Sequence, residues 1–143
     1  MNKTVSIQSD WVEGMQVDAH ASRHEVIMDQ PESMGGKDAG VNPLELLLIA
    51  MGGCLGTVAA IVAKQERVTL RQFSVDVAGD YDVDFLMGKD EGGKGGFLEI
   101  RVVVTIDADL ADEEKQAFFD KVESRCPVTN SILNKTKAIF QVR

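Results

Sequence analysis

The sequence has few of the residues that build metal centres and covalent cross-links. Its 143 residues include two cysteines, Cys54 and Cys126, and two histidines, His20 and His24. The cysteines lie 72 positions apart, so they form no CxxC motif. Two thiolates with so little histidine make a poor zinc site, and in a reducing compartment such cysteines are more often free thiols or a catalytic pair than a structural disulfide. We therefore expect no metal and no bound cofactor.

Positive charge is also scarce. Lys and Arg number 15 against 23 Asp and Glu, which gives a formal net charge of −8. Such a chain repels phosphate backbones and anionic membrane surfaces, so nucleic acid and lipid surfaces are disfavoured as partners. Residues 1–10 carry polar residues where a secretory signal would need an unbroken apolar run. We expect a cytoplasmic protein with a small neutral or apolar ligand.

The pattern of apolar residues predicts an α+β fold in a single domain over residues 1–143. Alternation with a period of two predicts strands near 3–9, 14–20, 23–29, 70–80, 97–107 and 138–142. Helices are predicted from Pro43 to about Arg67, from Asp109 to just before Pro127, and from Pro127 to about Leu133. Residues 30–41 and the glycine-rich residues 82–96 are predicted loops, and the latter match no phosphate-binding pattern.

The first predicted helix is the most apolar part of the chain. It begins at Asn42-Pro43, a favoured pair for a helix start. From Leu46 to Ala63 there are 18 residues without a formal charge, which is at the threshold for a membrane span. Glycines and alanines dilute this hydrophobicity, so we interpret the segment as a buried central helix on which antiparallel strands pack.

Local sequence favours Cys126 as the more acidic thiol. Arg125 precedes it and Pro127 begins a predicted helix, and both a guanidinium and a helix N-terminus stabilise a thiolate. Cys54 lies within the apolar helix, where desolvation raises the pKa of a thiol. The alternative interpretation of Cys54 is a small buried side chain without chemistry.

Two charged residues are further candidates for a site. Glu45 lies in the first turn of the apolar helix, where it can also simply complement the helix dipole. Arg23 is the only arginine before Arg67, and we expect it on a strand among polar residues. An unpaired surface arginine is the alternative interpretation.

Taken together, the chain resembles the OsmC/Ohr family, thiol-dependent peroxidases that reduce organic hydroperoxides. The resemblance covers essentially the whole chain and rests on Asn42-Pro43, on Gly53-Cys54 in the apolar helix, and on Cys126-Pro127-Val128-Thr129-Asn130-Ser131-Ile132-Leu133. It implies that Cys54 attacks the peroxide and that Cys126 resolves the sulfenic acid as a disulfide. It further implies an arginine from elsewhere in the fold that activates Cys54, for which Arg23 is a candidate, and this overrules the acidity order that local sequence favours. An external dithiol reductant and an intertwined homodimer with its active sites at the interface are also implied.

One position departs from the pattern of the best-known peroxidase members. They carry a glutamate directly after the Asn-Pro dipeptide, whereas here Leu44 occupies that position and the acid is Glu45. On a helix one residue turns a side chain by about 100°. The chain therefore looks closer to a less characterised OsmC-like branch. A small-ligand binder or redox sensor on the same fold is the alternative function, and a structural dimer with inert cysteines is a third.

Overall fold

The α+β class that the sequence predicts is confirmed, with five strands and four α-helices where six strands and three helices were expected. The computed structural model describes residues 1–143 and divides into two units, Met1–Leu47 and Leu48–Arg143. In chain order the elements are β1 Gln8–Glu13, β2 Gln16–Ala21, β3 His24–Met28, a 3-10 helix Glu32–Met34, α1 Pro43–Glu66, β4 Leu70–Tyr81, α2 Val83–Leu86, β5 Phe97–Ala108, α3 Asp112–Arg125 and α4 Pro127–Leu133. The prediction that the chain forms one domain stays a prediction.

The first unit begins with the predicted three-stranded meander. Strands β1, β2 and β3 pair antiparallel in that order. Gly14 turns the chain between β1 and β2 with a φ of +52°, and Trp11 Nε1 donates to the Gly14 carbonyl oxygen at 2.9 Å. The first two strands lie later than predicted: β1 is Gln8–Glu13 rather than 3–9, so that Val5 and Ile7 precede it, and β2 is Gln16–Ala21 rather than 14–20. Strand β3 lies within the predicted 23–29.

The segment after β3 is organised by the buried side chain of Asp29. Its carboxylate accepts backbone N–H hydrogen bonds from Gln30 at 2.8 Å, Lys37 at 3.0 Å and Ala39 at 3.2 Å. The hydrogen bond from Gln30 is the main cause that holds the pKa of Asp29 below its ordinary value, with burial opposing it. Gly36 is required here because a Cβ would overlap the Gln30 carbonyl oxygen. The predicted loop at 30–41 is confirmed and contains the 3-10 helix.

Helix α1 begins at Pro43, as predicted, because Asn42 and Glu45 cap it reciprocally. The Glu45 N–H donates to Asn42 Oδ1 at 2.9 Å, and the Asn42 N–H donates to Glu45 Oε2 at 3.0 Å. The helix ends at Glu66, after which Arg67 adopts a φ of +58° and the Val68 N–H donates to the Ala63 carbonyl oxygen at 2.9 Å.

By length and composition alone, α1 could cross a membrane. The mean hydropathy of its most apolar 18-residue window is 2.3, and 33% of that window is buried. The core helix of a folded domain meets the same criteria. The residues of α1 that are buried belong to the core of the second unit: Met51, Leu55, Val58, Ala59, Val62 and Ala63.

The second unit packs this face of α1 with a long hairpin and two later helices. Strands β4 and β5 pair antiparallel from Leu70 opposite Ala108 to Tyr81 opposite Phe97, which confirms the prediction that they are neighbours. Their half-buried residues pack against the core: Phe73, Val75, Val77, Ile100, Val102 and Ile106. Helix α3 contributes two buried side chains to this core, Phe118 and Val122.

Two expectations about the second unit need correction. The predicted loop at 82–96 contains a short helix, α2, because Asp82 caps it by accepting the Phe85 N–H at 3.0 Å. The predicted strand at 138–142 is wrong. Residues 135–143 have no regular structure, and Phe140 is 92% exposed. Apolar alternation yields a strand only where a neighbouring strand pairs with its backbone, and no strand of this chain does so.

Candidate functional site

Cys54 lies in the middle of α1, as predicted, on the margin of the core of the second unit. Its side chain is half-buried and packs against the buried cluster that contains Leu55, Val122 and Cys126. Cys54 is therefore carried by a rigid element, a regular helix, and its side chain is held in place by packing against the core.

Cys126 occupies the single residue between α3 and α4 and is fully buried. Its N–H ends α3 by donating to the Glu123 carbonyl oxygen at 3.1 Å, and its side chain caps α4 by accepting the Thr129 N–H at 3.4 Å. Asn130 Nδ2 donates to the Cys126 carbonyl oxygen at 2.8 Å, which fixes the backbone of the junction. The predicted helix start at Cys126-Pro127 is confirmed.

The two sulfur atoms are in direct contact. Cys54 Sγ and Cys126 Sγ lie 3.0 Å apart, and both thiols are free. A disulfide bond is about 2.05 Å long, so a movement of roughly 1 Å would close one. The proton of such a contact can be drawn on either sulfur.

The hydrogen-bond partners decide where that proton is better placed. Cys126 Sγ also accepts from Thr129 Oγ1 at 3.2 Å and from the Thr129 N–H. Burial is the largest influence on Cys126 and opposes ionisation, but hydrogen bonds from Cys54, Thr129 and the Val128 N–H together lower the pKa of its thiol. Burial, followed by the contact with Cys126, raises the pKa of the Cys54 thiol. These contacts favour ionisation of the Cys126 thiol over that of the Cys54 thiol.

This agrees with the acidity order predicted from local sequence, but the cause is different. The guanidinium of Arg125, the expected source of stabilisation, donates from Nη1 to Gln65 Oε1 at 2.8 Å. The hydrogen bonds from side chains to the Cys126 sulfur come from Thr129 and Cys54. Thr129 was part of the motif, but its role was not predicted. The available signal was a hydroxyl residue three positions after a cysteine at a helix start.

Glu45 and Arg23 both lie in the first unit. Glu45 uses its carboxylate to accept the Asn42 N–H and so caps α1, a structural role different from the dipole complementation expected as the alternative. Arg23 is exposed in the turn between β2 and β3, one residue before the strand on which it was expected. A catalytic part for either residue stays a prediction.

A groove in the second unit lies apart from the cysteines. It has a volume of about 320 Å³ and is formed by β5 and α3, with Val102, Val104, Ile106 and Phe119 among its lining residues. Neither cysteine is among its lining residues.

The family is now clear. The family model of OsmC-like proteins matches residues 35–140, well over half of the chain. The chain belongs to the OsmC-like family, and the resemblance seen in the sequence is confirmed. No curated protein matches the sequence significantly.

Solved structures share the fold. An OsmC-like protein from Mycoplasma pneumoniae has a TM-score of 0.81 and 23% identity, with 94% of this chain and 91% of that chain covered. An organic hydroperoxide resistance protein OsmC from Legionella pneumophila has a TM-score of 0.62 and 19% identity, covering 91% and 89%. A putative organic hydroperoxide resistance protein from Vibrio cholerae, with captopril bound in one of its active sites, has a TM-score of 0.60 and 20% identity, with 94% of this chain and 89% of that chain covered. At these identities the likeness concerns the fold.

Proposed function

We propose that this protein is a thiol-dependent peroxidase that reduces organic hydroperoxides, with Cys54 as the attacking cysteine and Cys126 as the resolving one. The single observation that carries the proposal is the 3.0 Å contact between a half-buried and a fully buried thiol. Membership of the OsmC-like family supports it, as do structural neighbours named organic hydroperoxide resistance proteins.

The difference in burial supports this assignment of roles. Cys126 is 0% exposed, so a peroxide cannot reach its sulfur without a change in structure. Cys54 is half-buried and is the more accessible residue of the pair. The less acidic thiol would therefore meet the substrate, while the more acidic one is protected from it.

The proposed chemistry has two steps. Cys54 sulfur attacks the distal peroxide oxygen, the O–O bond breaks, and an alcohol leaves once the alkoxide takes a proton. Cys126 sulfur then attacks the sulfenic acid on Cys54, which forms the disulfide and releases water. Each cycle oxidises two thiols by two electrons in total. We propose that an external dithiol restores them by thiol–disulfide exchange.

We also propose that the protein works as a homodimer in the cytoplasm. Large apolar side chains are exposed on both units, including Trp11 at 70%, Ile49 at 55%, Ile61 at 48% and Val103 at 62%. A second copy of the chain would cover such surfaces. A reducing compartment would keep the two thiols available for chemistry.

A redox sensor is the second candidate function. The observation that favours it is Leu44 in the position where the best-known peroxidase members carry a glutamate. Burial, which raises the pKa of the Cys54 thiol, favours it as well. A thiol that is mostly protonated reacts slowly with peroxide. Such a protein would form the disulfide without rapid turnover.

The test is steady-state consumption of cumene hydroperoxide, beside hydrogen peroxide, by the reduced protein with excess dithiothreitol. We expect turnover that favours the organic substrate and disappears in Cys54→Ser. A protein that forms its disulfide once but does not cycle would support the sensor. Thiols that remain unreactive in the folded wild type would contradict both functions.

A further inference from the structure

Thr129 places two hydrogen-bond donors on the same sulfur atom. Its Oγ1 lies 3.2 Å and its backbone nitrogen 3.4 Å from Cys126 Sγ. The residue is buried, with 3% of its surface exposed. A buried threonine hydroxyl needs a partner, and here that partner is the sulfur itself. These donors occupy Cys126 Sγ in addition to the 3.0 Å contact with Cys54.

This arrangement selects the charge state of Cys126. Hydrogen bonds donated to a thiolate favour the charged form over the thiol. Two cationic side chains of α3 bind residues of α1 instead of the sulfur. The Arg125 guanidinium donates to Gln65 Oε1, and Lys121 pairs with Glu66. Helix α4, Pro127–Leu133, carries no charged residue. The hydroxyl of Thr129 is thus a specific, removable source of thiolate stabilisation.

We propose that Thr129 is a positioning residue that keeps Cys126 a hydrogen-bond acceptor for Cys54, so that Cys126 takes the proton of Cys54 as Cys54 attacks. The catalytic part of this inference rests on the proposed peroxidase function. Cys126 then serves twice, first as a base and later as the resolving thiol. This explains how a thiol whose own pKa is raised can act as the nucleophile.

The step balances as follows. The S–H bond of Cys54 breaks and its proton moves to the Cys126 thiolate while the Cys54 sulfur bonds to the distal peroxide oxygen. The O–O bond breaks, and the alkoxide takes a proton from Cys126 to leave as alcohol. Cys126, again a thiolate, attacks the Cys54 sulfenic acid, and hydroxide leaves. The peroxide is reduced by two electrons, which come from the two sulfurs.

The experiment compares Thr129→Val, which removes the hydroxyl at nearly constant shape, with Thr129→Ser, which retains it. Thiolate absorbance near 240 nm is recorded against pH on reduced protein without peroxide. We expect the first thiolate of the pair to form at higher pH in Thr129→Val, with roughly tenfold less thiolate at a fixed pH below the midpoint. Thr129→Ser should restore the wild-type midpoint. Coincident midpoints in the wild type and folded Thr129→Val would overturn the proposal.

A second measurement needs no variant. In wild-type protein with ¹³C-labelled cysteine, the Cβ signals of the two residues report separately which thiol ionises first. Cys126 should lose its proton before Cys54, and the opposite order would contradict the proposal even if Thr129→Val did not fold.

Peroxide reactivity is measured apart from these titrations. The rate of disulfide formation in Thr129→Val should be slow at low pH and recover as the pH rises. If the thiolate midpoint is shifted in Thr129→Val but the wild-type protein never reduces peroxide, the role of Thr129 in acidity is supported and the peroxidase function is contradicted. If the wild-type protein reduces peroxide but Thr129→Val has the same thiolate midpoint, the peroxidase function is supported and the role of Thr129 is contradicted.

Discussion

Cys54 Sγ and Cys126 Sγ lie 3.0 Å apart, although 72 positions separate the two residues in the chain. One sulfur belongs to the middle of a long helix and the other to a junction between two helices. Both residues pack in the same core, with Leu55 and Val122 among its buried members. The contact between the two cysteines is therefore a product of core packing, and its geometry depends on that core.

Replacing Cys126 should abolish resolution and slow the attack by Cys54, because Cys126 is both the proposed resolving thiol and the proposed base. In Cys126→Ser we expect cumene hydroperoxide to oxidise Cys54 once and to leave a sulfenic acid, because no second thiol is in contact to form the disulfide. Trapping with dimedone and mass spectrometry checks this. Ser124→Ala, an exposed change two residues away, is the control and should cycle like the wild type. Unchanged turnover in Cys126→Ser would mean that Cys126 does not resolve Cys54.

Truncating Leu55 should destabilise the fold and the pair together. The side chain is 1% exposed, so Leu55→Ala is expected to lower the free energy of unfolding by about 2–5 kcal/mol, measured by urea denaturation. Leu55→Met conserves volume and should cost less than about 1.5 kcal/mol. We also expect slower disulfide formation in the alanine variant. Equal stability of the two variants would show that this part of the core is not tightly packed.

The capping of α1 gives a prediction about stability and a test of Glu45. Asn42→Ala removes the side chain that accepts the Glu45 N–H and should cost about 1 kcal/mol in urea unfolding. Glu45→Gln keeps an acceptor for the Asn42 N–H while removing the charge. Its stability should therefore be close to that of the wild type. Unchanged turnover in this variant would assign Glu45 to capping, whereas a large loss would support a catalytic carboxylate.

Asp29 should make stability depend on pH at the acid end. Its pKa in the folded protein lies below the ordinary value of 3.8, chiefly through the hydrogen bond from Gln30. The stabilisation is therefore present above 3.8 and is lost as the pH falls through the folded pKa. In Asp29→Asn we expect a lower Tm at neutral pH, with a difference from wild type that shrinks in acid. A difference that stays constant with pH would contradict the assignment.

Local signals in the sequence were sufficient for most elements of the fold. Asn42-Pro43 marked the start of α1, and the alternation from Leu98 to Ile106 marked β5. The prediction of a strand at 138–142 was wrong because apolar alternation indicates which side chains could share one face of a strand, but not whether a partner strand is present. Likewise, Val5 and Ile7 alternate but lie before β1, since the turn at Gly14 sets the register.

The candidate site was predictable in its residues but not in its contacts. Spacing and resemblance indicated Cys54 and Cys126, yet their contact depends on how α1 packs with α3 and α4, which no local pattern encodes. Arg125 was expected to stabilise the Cys126 thiolate because it is adjacent in sequence. In the fold its side chain reaches Gln65, and Thr129 supplies the hydrogen bonds instead.

The central claim is that Cys54 and Cys126 act together on an organic hydroperoxide. The most direct measurement mixes fully reduced protein with a limiting amount of cumene hydroperoxide and no reductant, then counts thiols and maps the cysteine peptides by mass spectrometry. The account predicts that each hydroperoxide consumed removes two thiols and yields a Cys54–Cys126 disulfide within one chain. Consumption of hydroperoxide without that linkage, or no consumption by protein confirmed to be reduced, would contradict it.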